Sequence, residues 1–214
     1  MKELLPGIRQ WSWLSPEKGI DFNGLYVNAG GEALLIDPPR FGEGDEAEIR
    51  RLGPPATIIV TNRHHSRRAA ECGDLFRAKI LVPAADASFF SFSTDGTFSP
   101  GDQLPGGFMA VAVPDSKTPG ETALYHAGLK TLVLGDALIG KPPGELSFLP
   151  PSMFVDMPRA REGVRSLLAL DFDAVLVGDG ASILSGGKAA VFFARISTCK
   201  DMFSDVAETH PSVA

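Results

Sequence analysis

Two adjacent histidines inside a cluster of arginines are the most chemically distinctive feature of the sequence. Residues 57–70 read TIIVTNRHHSRRAA, so His64 and His65, half of the chain's four histidines, lie among Arg63, Arg67 and Arg68. Imidazole rings bind transition metals and act as general bases near neutral pH. The turn therefore suggests a metal site, the remains of such a site, or metal-free acid–base chemistry.

Two aspartates at the ends of apolar segments are further candidates. Asp136 ends the segment TLVLGD, and a carboxylate in that position must be paired or hydrated. Asp37 ends the segment ALLID and precedes two prolines, where its carboxylate can accept backbone N–H groups and organise a turn. These positions make Asp136 a candidate for either a functional or a structural role and favour a structural role for Asp37. His126 and His210 lie outside the candidate segments, and we assign them no role.

The composition indicates an acidic protein with one domain. No change in composition marks a boundary along the 214 residues, which predicts a single domain over residues 1–214. The formal charge of -6 argues against nucleic-acid partners and a basic membrane-binding face, and no apolar run approaches the roughly 18 residues that span a bilayer. Cys72 and Cys199 are too few for a disulfide framework or a cysteine zinc site, so we expect a cytoplasmic protein.

The order of apolar patterns predicts an α/β fold with two sheets. The expected strands cover residues 8–14, 23–29, 33–37, 56–60 and 79–83, then the segments GFMAVAV, ETALYHA and TLVLGD, and finally residues 173–180. The expected helices cover residues 45–52, 66–76 and 188–196, together with a segment that Asp156 caps. Residues 140–152, which include four prolines, are expected to form a loop.

Four segments in this order resemble the metallo-β-lactamase superfamily. They are NGLYVNAGGEALLID, the turn after IIVT, SKTPGETALY followed by LVLGD, and LVGDG, and they span about residues 20–195. The resemblance implies a four-layer αββα sandwich, a hydrolase-like fold whose metal ligands lie on loops at strand ends. The family's dinuclear zinc or iron site needs imidazoles and a carboxylate fixed on one tight loop.

The resemblance also identifies seven positions at which the family has metal ligands. The family's first turn reads H-x-H-x-D-H, and its later ligands are the histidine of G-H-T-P-G, an aspartate that ends a strand, and the histidine of G-H-G. Two of the seven positions are unchanged here, His64 and Asp136. Five differ, and they are Asn62, Ser66, Arg67, Lys117 and Asp179. Because ligands are lost and two cations are added, the sequence predicts a degenerate site that binds divalent metal poorly.

These seven positions define the expected pocket. We expect no cofactor, and the alternative is a single Zn, Fe or Mn ion held by His64, Asp136 and Asp179. The candidate catalytic residues are His64, Asp136 and Lys117, of which Lys117 would act as a base or hold an anionic substrate. In the family geometry, His65 would project away from the pocket.

Three functions are consistent with this pattern. The first is a non-catalytic or metal-independent binding or regulatory protein, with a small molecule as its ligand. The second is a metal-dependent hydrolase of a small ester, thioester or similar substrate, which would use a reduced, mononuclear site. The third is metal-free acid–base chemistry in the same pocket. The loss of ligands argues against metal-dependent hydrolysis.

The family geometry further predicts which groups meet in the pocket. The positions of Arg67 and Asp179 both face the second metal, whereas Lys117 lies near the first metal and Asp136 lies between the two. Buried carboxylates require compensating positive charge. We therefore expect an ion pair between Arg67 and Asp179 and a contact between Lys117 and Asp136, with His64 alongside.

Overall fold

A seven-stranded sheet forms the first half of the chain in the computed structural model, which describes residues 1–28 and 31–196. Its strands are hydrogen-bonded in chain order, the first three pairs antiparallel and the last three parallel. They are β1 (Lys2–Leu5), β2 (Ile8–Ser15), β3 (Ile20–Val27), β4 (Leu34–Ile36), β5 (Thr57–Ile59), β6 (Lys79–Pro83) and β7 (Gly96–Phe98).

A five-stranded sheet follows, with the strands β8 (Gln103–Leu104), β9 (Phe108–Ala112), β10 (Thr122–His126), β11 (Thr131–Leu134) and β13 (Ala174–Val177). Their order in the sheet is β13-β11-β10-β9-β8. A small sheet pairs β12 (Ser147–Phe148) with β14 (Arg195–Ile196). The helices are α1 (Asp45–Leu52), α2 (Ala69–Phe76), α3 (Met157–Ser166) and α4 (Gly187–Phe192). Within the described residues, none of them has the length and apolar character of a membrane-crossing helix.

Three apolar cores separate four layers. Successive strand residues point to opposite faces of a sheet, so Leu34 and Ile36 enter the core between the two sheets while Leu35 packs on the other face with Ile49 of α1. On the outer face of the second sheet, residues of β11 and β13 pack against Val164 of α3 and Val191 of α4. The layers therefore follow the order helix, sheet, sheet, helix, which is the αββα sandwich expected from the sequence.

Several element boundaries differ from the predictions. The helix expected over residues 66–76 begins at Ala69, because Arg67 has a left-handed backbone (φ 34°) that an α-helix cannot include. The helix expected over residues 188–196 ends at Phe192, and the chain then pairs with β12 as β14. The loop expected over residues 140–152 contains β12 and part of a short 3-10 turn. The strands β1, β7 and β8 were not predicted. The Asp156 cap of α3 is confirmed, since its side chain accepts a hydrogen bond from the backbone N–H of Arg159.

Parallel pairing brings the ends of four strands to one edge. In the first sheet β4 runs parallel to β5, and Ile36 pairs with Ile59. In the second sheet β11 runs parallel to β13, and Leu134 pairs with Val177. Polar residues follow each strand end: Asp37 after β4, the 61–67 turn after β5, Asp136 after β11 and Asp179 after β13. The registers therefore align the polar residues within each sheet, and the contact between His65 and Asp136 joins the two sets.

Candidate functional site

Asp136 occupies the centre of the site. Its side chain is almost wholly buried, with Nζ of Lys117 3.0 Å from Oδ2 and Nε2 of His65 3.8 Å from Oδ1. Burial alone would raise the pKa of this carboxyl, but His65 and Lys117 outweigh that effect and hold the pKa well below its usual range. Asp136 is thus a carboxylate that two nitrogen-bearing side chains already neutralise.

Arg67 forms the second charged contact of the site. Its guanidinium donates to Oδ1 of Asp179, to the carbonyl oxygen of Gly178 (3.1 Å) and to that of Asn23 (2.9 Å), and it lies 4.5 Å from the ring centroid of Phe22. The side chains of Arg67 and Asp179 are only 8% and 13% exposed. Burial raises the pKa of Asp179, and the charge of Arg67 opposes this rise. Both contacts predicted from the sequence, Arg67 with Asp179 and Lys117 with Asp136, are present.

His65 points into the site, so the prediction that it projects away is wrong. Residues Arg63–His65 form a 3-10 turn whose geometry directs the second imidazole inward, and Nδ1 of His65 lies 2.8 Å from Oδ2 of Asp37. Burial and the charge of Arg67 lower the pKa of His65, but Asp37 and Asp136 outweigh them and raise it to about 10. The imidazolium therefore bridges two buried carboxylates.

His64 takes a different position from the one expected. It is exposed, and its backbone N–H donates to Oδ1 of Asn62 (2.8 Å). Burial of part of the ring and the positive charges of Lys117 and Arg63 lower its pKa, although Asp136 acts in the opposite direction. Within the described residues, the group that could hold a metal ion is His65, Asp136 and Asp179, whose ligand atoms all lie within 4.8 Å of one another. His65 thus replaces His64 in the predicted set of potential ligands.

Asn62 is buried and turned toward an acid that the sequence analysis missed. Its Nδ2 donates to Oε2 of Glu121 (2.7 Å), while Oε1 of Glu121 accepts from the backbone N–H of Ala137 (3.0 Å). Burial and the nearby Asp136 raise the pKa of Glu121 to about 8. Ser66 is partly buried, and its backbone carbonyl accepts from the N–H of Ala69 at the start of α2. Neither Asn62 nor Ser66 contributes to the ion pairs.

Asp86 is a second acid that sequence reasoning missed. It is fully buried, and its oxygens accept the backbone N–H of Arg63 (2.9 Å) and that of Gly120 (3.1 Å). One carboxylate therefore connects the turn that carries the histidines to the loop that carries Lys117. A Cβ atom on Gly120 would lie 2.4 Å from Cγ of Asp86, so glycine is required for this contact.

The remaining predictions concern structural roles. Asp37 accepts the backbone N–H and the hydroxyl of Thr61 (2.8 and 2.6 Å), which confirms its role in organising the turn, and it does so with a left-handed backbone (φ 49°). His126 accepts the backbone N–H of Leu129 and packs on Phe108, away from the ion pairs. His210 lies outside the described residues.

The site balances its charges internally. The cationic side chains of His65, Arg67 and Lys117 face an equal number of carboxylates, those of Asp37, Asp136 and Asp179. Such an arrangement can bind or orient a polar ligand, and its imidazole and lysine can donate protons.

Comparisons with known proteins agree with this fold. A model of the metallo-beta-lactamase superfamily matches residues 1–193. DIM-1 metallo-beta-lactamase has 16% sequence identity and a TM-score of 0.69, with 89% of this chain and 95% of that chain covered. TTHA1623 in a di-iron-bound form has 20% identity and a TM-score of 0.66, covering 79% and 92%. FEZ-1 metallo-beta-lactamase from Legionella gormanii has 16% identity and a TM-score of 0.60, covering 83% and 78%.

No curated protein matches the sequence. The identities to solved structures are low, and those similarities describe the fold alone. The family model, however, covers nine-tenths of the chain, from β1 through α4. This chain therefore belongs to the metallo-β-lactamase superfamily.

Proposed function

We propose that this chain is a metal-independent member of its superfamily, with a binding or regulatory role in place of metal-dependent hydrolysis. The observation that carries the proposal is the pair of contacts at the two carboxylates. Lys117 lies 3.0 Å from Asp136, and Arg67 donates to Asp179. Positively charged side chains thus compensate the two carboxylates that metal ions would compensate in a metal centre.

A dinuclear metal site does not fit these residues. Two unit charges of the same sign 4 Å apart repel by about 4 kcal/mol at an effective dielectric constant of 20, and a divalent ion doubles this value. A metal between Asp136 and Asp179 would meet that repulsion from both Lys117 and Arg67. It would also find one imidazole, His65, whose Nδ1 is engaged by Asp37. The number of ligands and the local charge both oppose such a centre.

Metal content and stability together test this proposal. We expect protein purified without added metal to contain far less than one equivalent of zinc, iron or manganese by elemental analysis. The melting temperature should be the same before and after dialysis against EDTA, because no structural ion is removed. One or two tightly held transition metals per chain, with a lower melting temperature after EDTA, would contradict the proposal.

One observation favours a second function, a hydrolase with a mononuclear site. The potential ligand atoms of His65, Asp136 and Asp179 lie within 4.8 Å of one another, and a metal held there would lower the pKa of a bound water. This function requires Lys117 and Arg67 to leave the two carboxylates. It predicts turnover of small esters or thioesters that EDTA abolishes and that Asp136→Ala removes. The first function predicts only background hydrolysis of lactam, thioester and phosphodiester substrates.

A further inference from the structure

The three arginines of the 61–68 turn differ in their partners. Arg67 pairs with Asp179, and Arg68 pairs with Glu71 on α2. Within residues 1–28 and 31–196, the guanidinium of Arg63 has no carboxylate within salt-bridge distance, and it lies 4.2 Å from the ring centroid of Phe89. Phe89 is itself exposed. The turn therefore presents one uncompensated cation, supported by an aromatic ring.

Arg63 is held in place before any ligand arrives. Its backbone N–H donates to the fully buried Asp86, which also accepts from Gly120 in the loop that carries Lys117. The face of the Phe89 ring attracts the guanidinium and restricts it, while the edge donors remain available. Restricting a charged side chain in advance lowers the entropy cost of binding.

Two side chains near Arg63 add further hydrogen-bond donors. His64 is exposed on the same turn, and Lys117 lies close enough for its charge to act on the His64 ring. Two nearby carboxylates already have partners: Lys117 and His65 neutralise Asp136, and Asp86 accepts the backbone N–H groups of Arg63 and Gly120. The whole chain has a formal charge of -6, so a group of donors that includes the cations Arg63 and Lys117 is a local exception.

We propose that Arg63, His64 and Lys117 form a binding site for the anionic group, carboxylate or phosphate, of a small ligand. Arg63 donates paired N–H groups in the planar geometry that these anions accept, while His64 on the same turn and Lys117 on the loop that Asp86 joins to it supply further donors. This ligand class rests on the metal-free function proposed above, because a bound divalent metal would itself be the partner of the anion.

An NMR titration that follows the chemical shifts of the backbone amides tests the proposal. Inorganic phosphate and acetate are added separately to labelled protein at constant ionic strength, with sodium chloride as the reference. We expect saturable shifts for amides of the 62–66 turn and the 117–120 loop. Arg63→Gln should weaken the affinity about tenfold or more, the usual value of a charge-assisted hydrogen bond. Saturation by phosphate alone would assign a phosphorylated ligand, and saturation by both would include carboxylates.

Matched variants separate this site from general charge effects. Arg68→Gln removes an arginine of the same turn that is paired with Glu71, and it should change the affinity less than twofold. Phe89→Leu keeps Arg63 but removes its support, and it should weaken binding severalfold. Two results would overturn the proposal: amide chemical-shift changes no larger than those that sodium chloride causes, or an anion affinity that Arg63→Gln leaves unchanged.

A titration after EDTA treatment distinguishes this inference from the metal-free function. Anion binding that persists after EDTA and depends on Arg63 supports the inference even if elemental analysis finds a metal. Anion binding that EDTA abolishes would overturn it and would show that a metal holds the anion.

Discussion

Lys117 and Asp136 are joined across two loops, with Nζ of the lysine 3.0 Å from Oδ2 of the aspartate. The lysine side chain is 16% exposed and the aspartate side chain 4%. A contact this deeply buried has a large desolvation cost and requires nearly complete charge compensation. His65 supplies the other part of that compensation at Oδ1. The stability of the site should therefore depend on keeping its cations and carboxylates in equal number.

Removing one member of the Arg67–Asp179 pair should be costly. We expect Asp179→Ala to lower the free energy of unfolding by on the order of 3 kcal/mol, because it leaves Arg67 buried without its partner. The double variant Arg67→Met with Asp179→Leu should recover much of that loss. Urea unfolding measures both values. Glu71→Ala, which breaks an exposed ion pair with Arg68, is the control and should cost below about 1 kcal/mol. Equal losses in the two single variants would contradict burial of the Arg67 pair.

Stability should be greatest on the acid side of neutrality. The pKa of Glu121 is raised from 4.5 to about 8, so the folded state retains a proton that the unfolded state releases, and stability falls as pH rises through this range. His65, whose pKa is raised from 6.5 to about 10, contributes stability that is complete below 6.5 and is lost as pH rises toward 10. Asp136, whose pKa is lowered from 3.8, contributes stability that is lost as pH falls.

These three effects place the maximum at about pH 4, between the unfolded pKa values of Asp136 and Glu121. Urea unfolding over a series of buffers measures the profile. Glu121→Gln cannot ionise, so this variant should show a flatter profile between about pH 5 and pH 8. A wild-type maximum above pH 7 would show that the raised pKa of Glu121 does not govern the profile.

Gly178 should tolerate no side chain. A Cβ atom there would lie 2.3 Å from Cε1 of His65, so Gly178→Ala must displace the buried imidazole from Asp37 and Asp136. We expect a loss of about 1–3 kcal/mol in the free energy of unfolding, as for other overpacked interiors. The pKa of His65, followed by NMR, should also fall. Gly31→Ala is the matched control, because no atom lies within 4 Å of its added Cβ. A similar stability for both variants would indicate that His65 has room to move.

Replacing the two cations should create a metal site. Lys117→His with Arg67→His removes two positive charges and adds two imidazoles beside the existing group of His65, Asp136 and Asp179. We expect this double variant to bind Zn²⁺ at least about 100-fold more tightly than the wild type, because ligands are gained and repulsion is removed. Calorimetric titration with zinc measures the difference. Lys117→Gln with Arg67→Gln removes the charges without adding imidazoles and should show a smaller gain.

The aspartates at strand ends show how much of the site could be predicted from the sequence. Apolar segments that end in Asp37 and Asp136 could be identified from the local pattern of apolar residues. The family resemblance then placed Arg67 opposite Asp179. The structure has both ion pairs and the expected layers. These predictions succeeded because strand ends and charge compensation follow from local patterns and from the cost of burying carboxylates.

The orientation of His65 and the roles of Glu121 and Asp86 could not be predicted in the same way. Which of two adjacent histidines points inward depends on a 3-10 turn, whose dihedral angles the sequence does not specify. Glu121 lies directly after the TPG segment and immediately before the strand β10 (Thr122–His126), and a buried acid in that position was a usable signal. Asp86 lies in a separate turn and meets Arg63 only in the folded chain, so no local pattern identifies it.

The left-handed backbone at Asp37 and Arg67 has a consequence for how the turn can vary. Non-glycine residues in this conformation cost roughly 1–2 kcal/mol each, whereas glycine adopts it freely. Glycine at either position would relieve the strain but remove a carboxylate or a guanidinium from the buried network. Asp37 pairs with the buried His65 and Arg67 with the buried Asp179, and removing one partner of a buried ion pair costs about 3–5 kcal/mol, so the lost charge outweighs the relieved strain at both positions. Libraries randomised at these two positions and screened for heat resistance should therefore retain Asp37 and Arg67 despite their strained backbone, rather than enrich glycine.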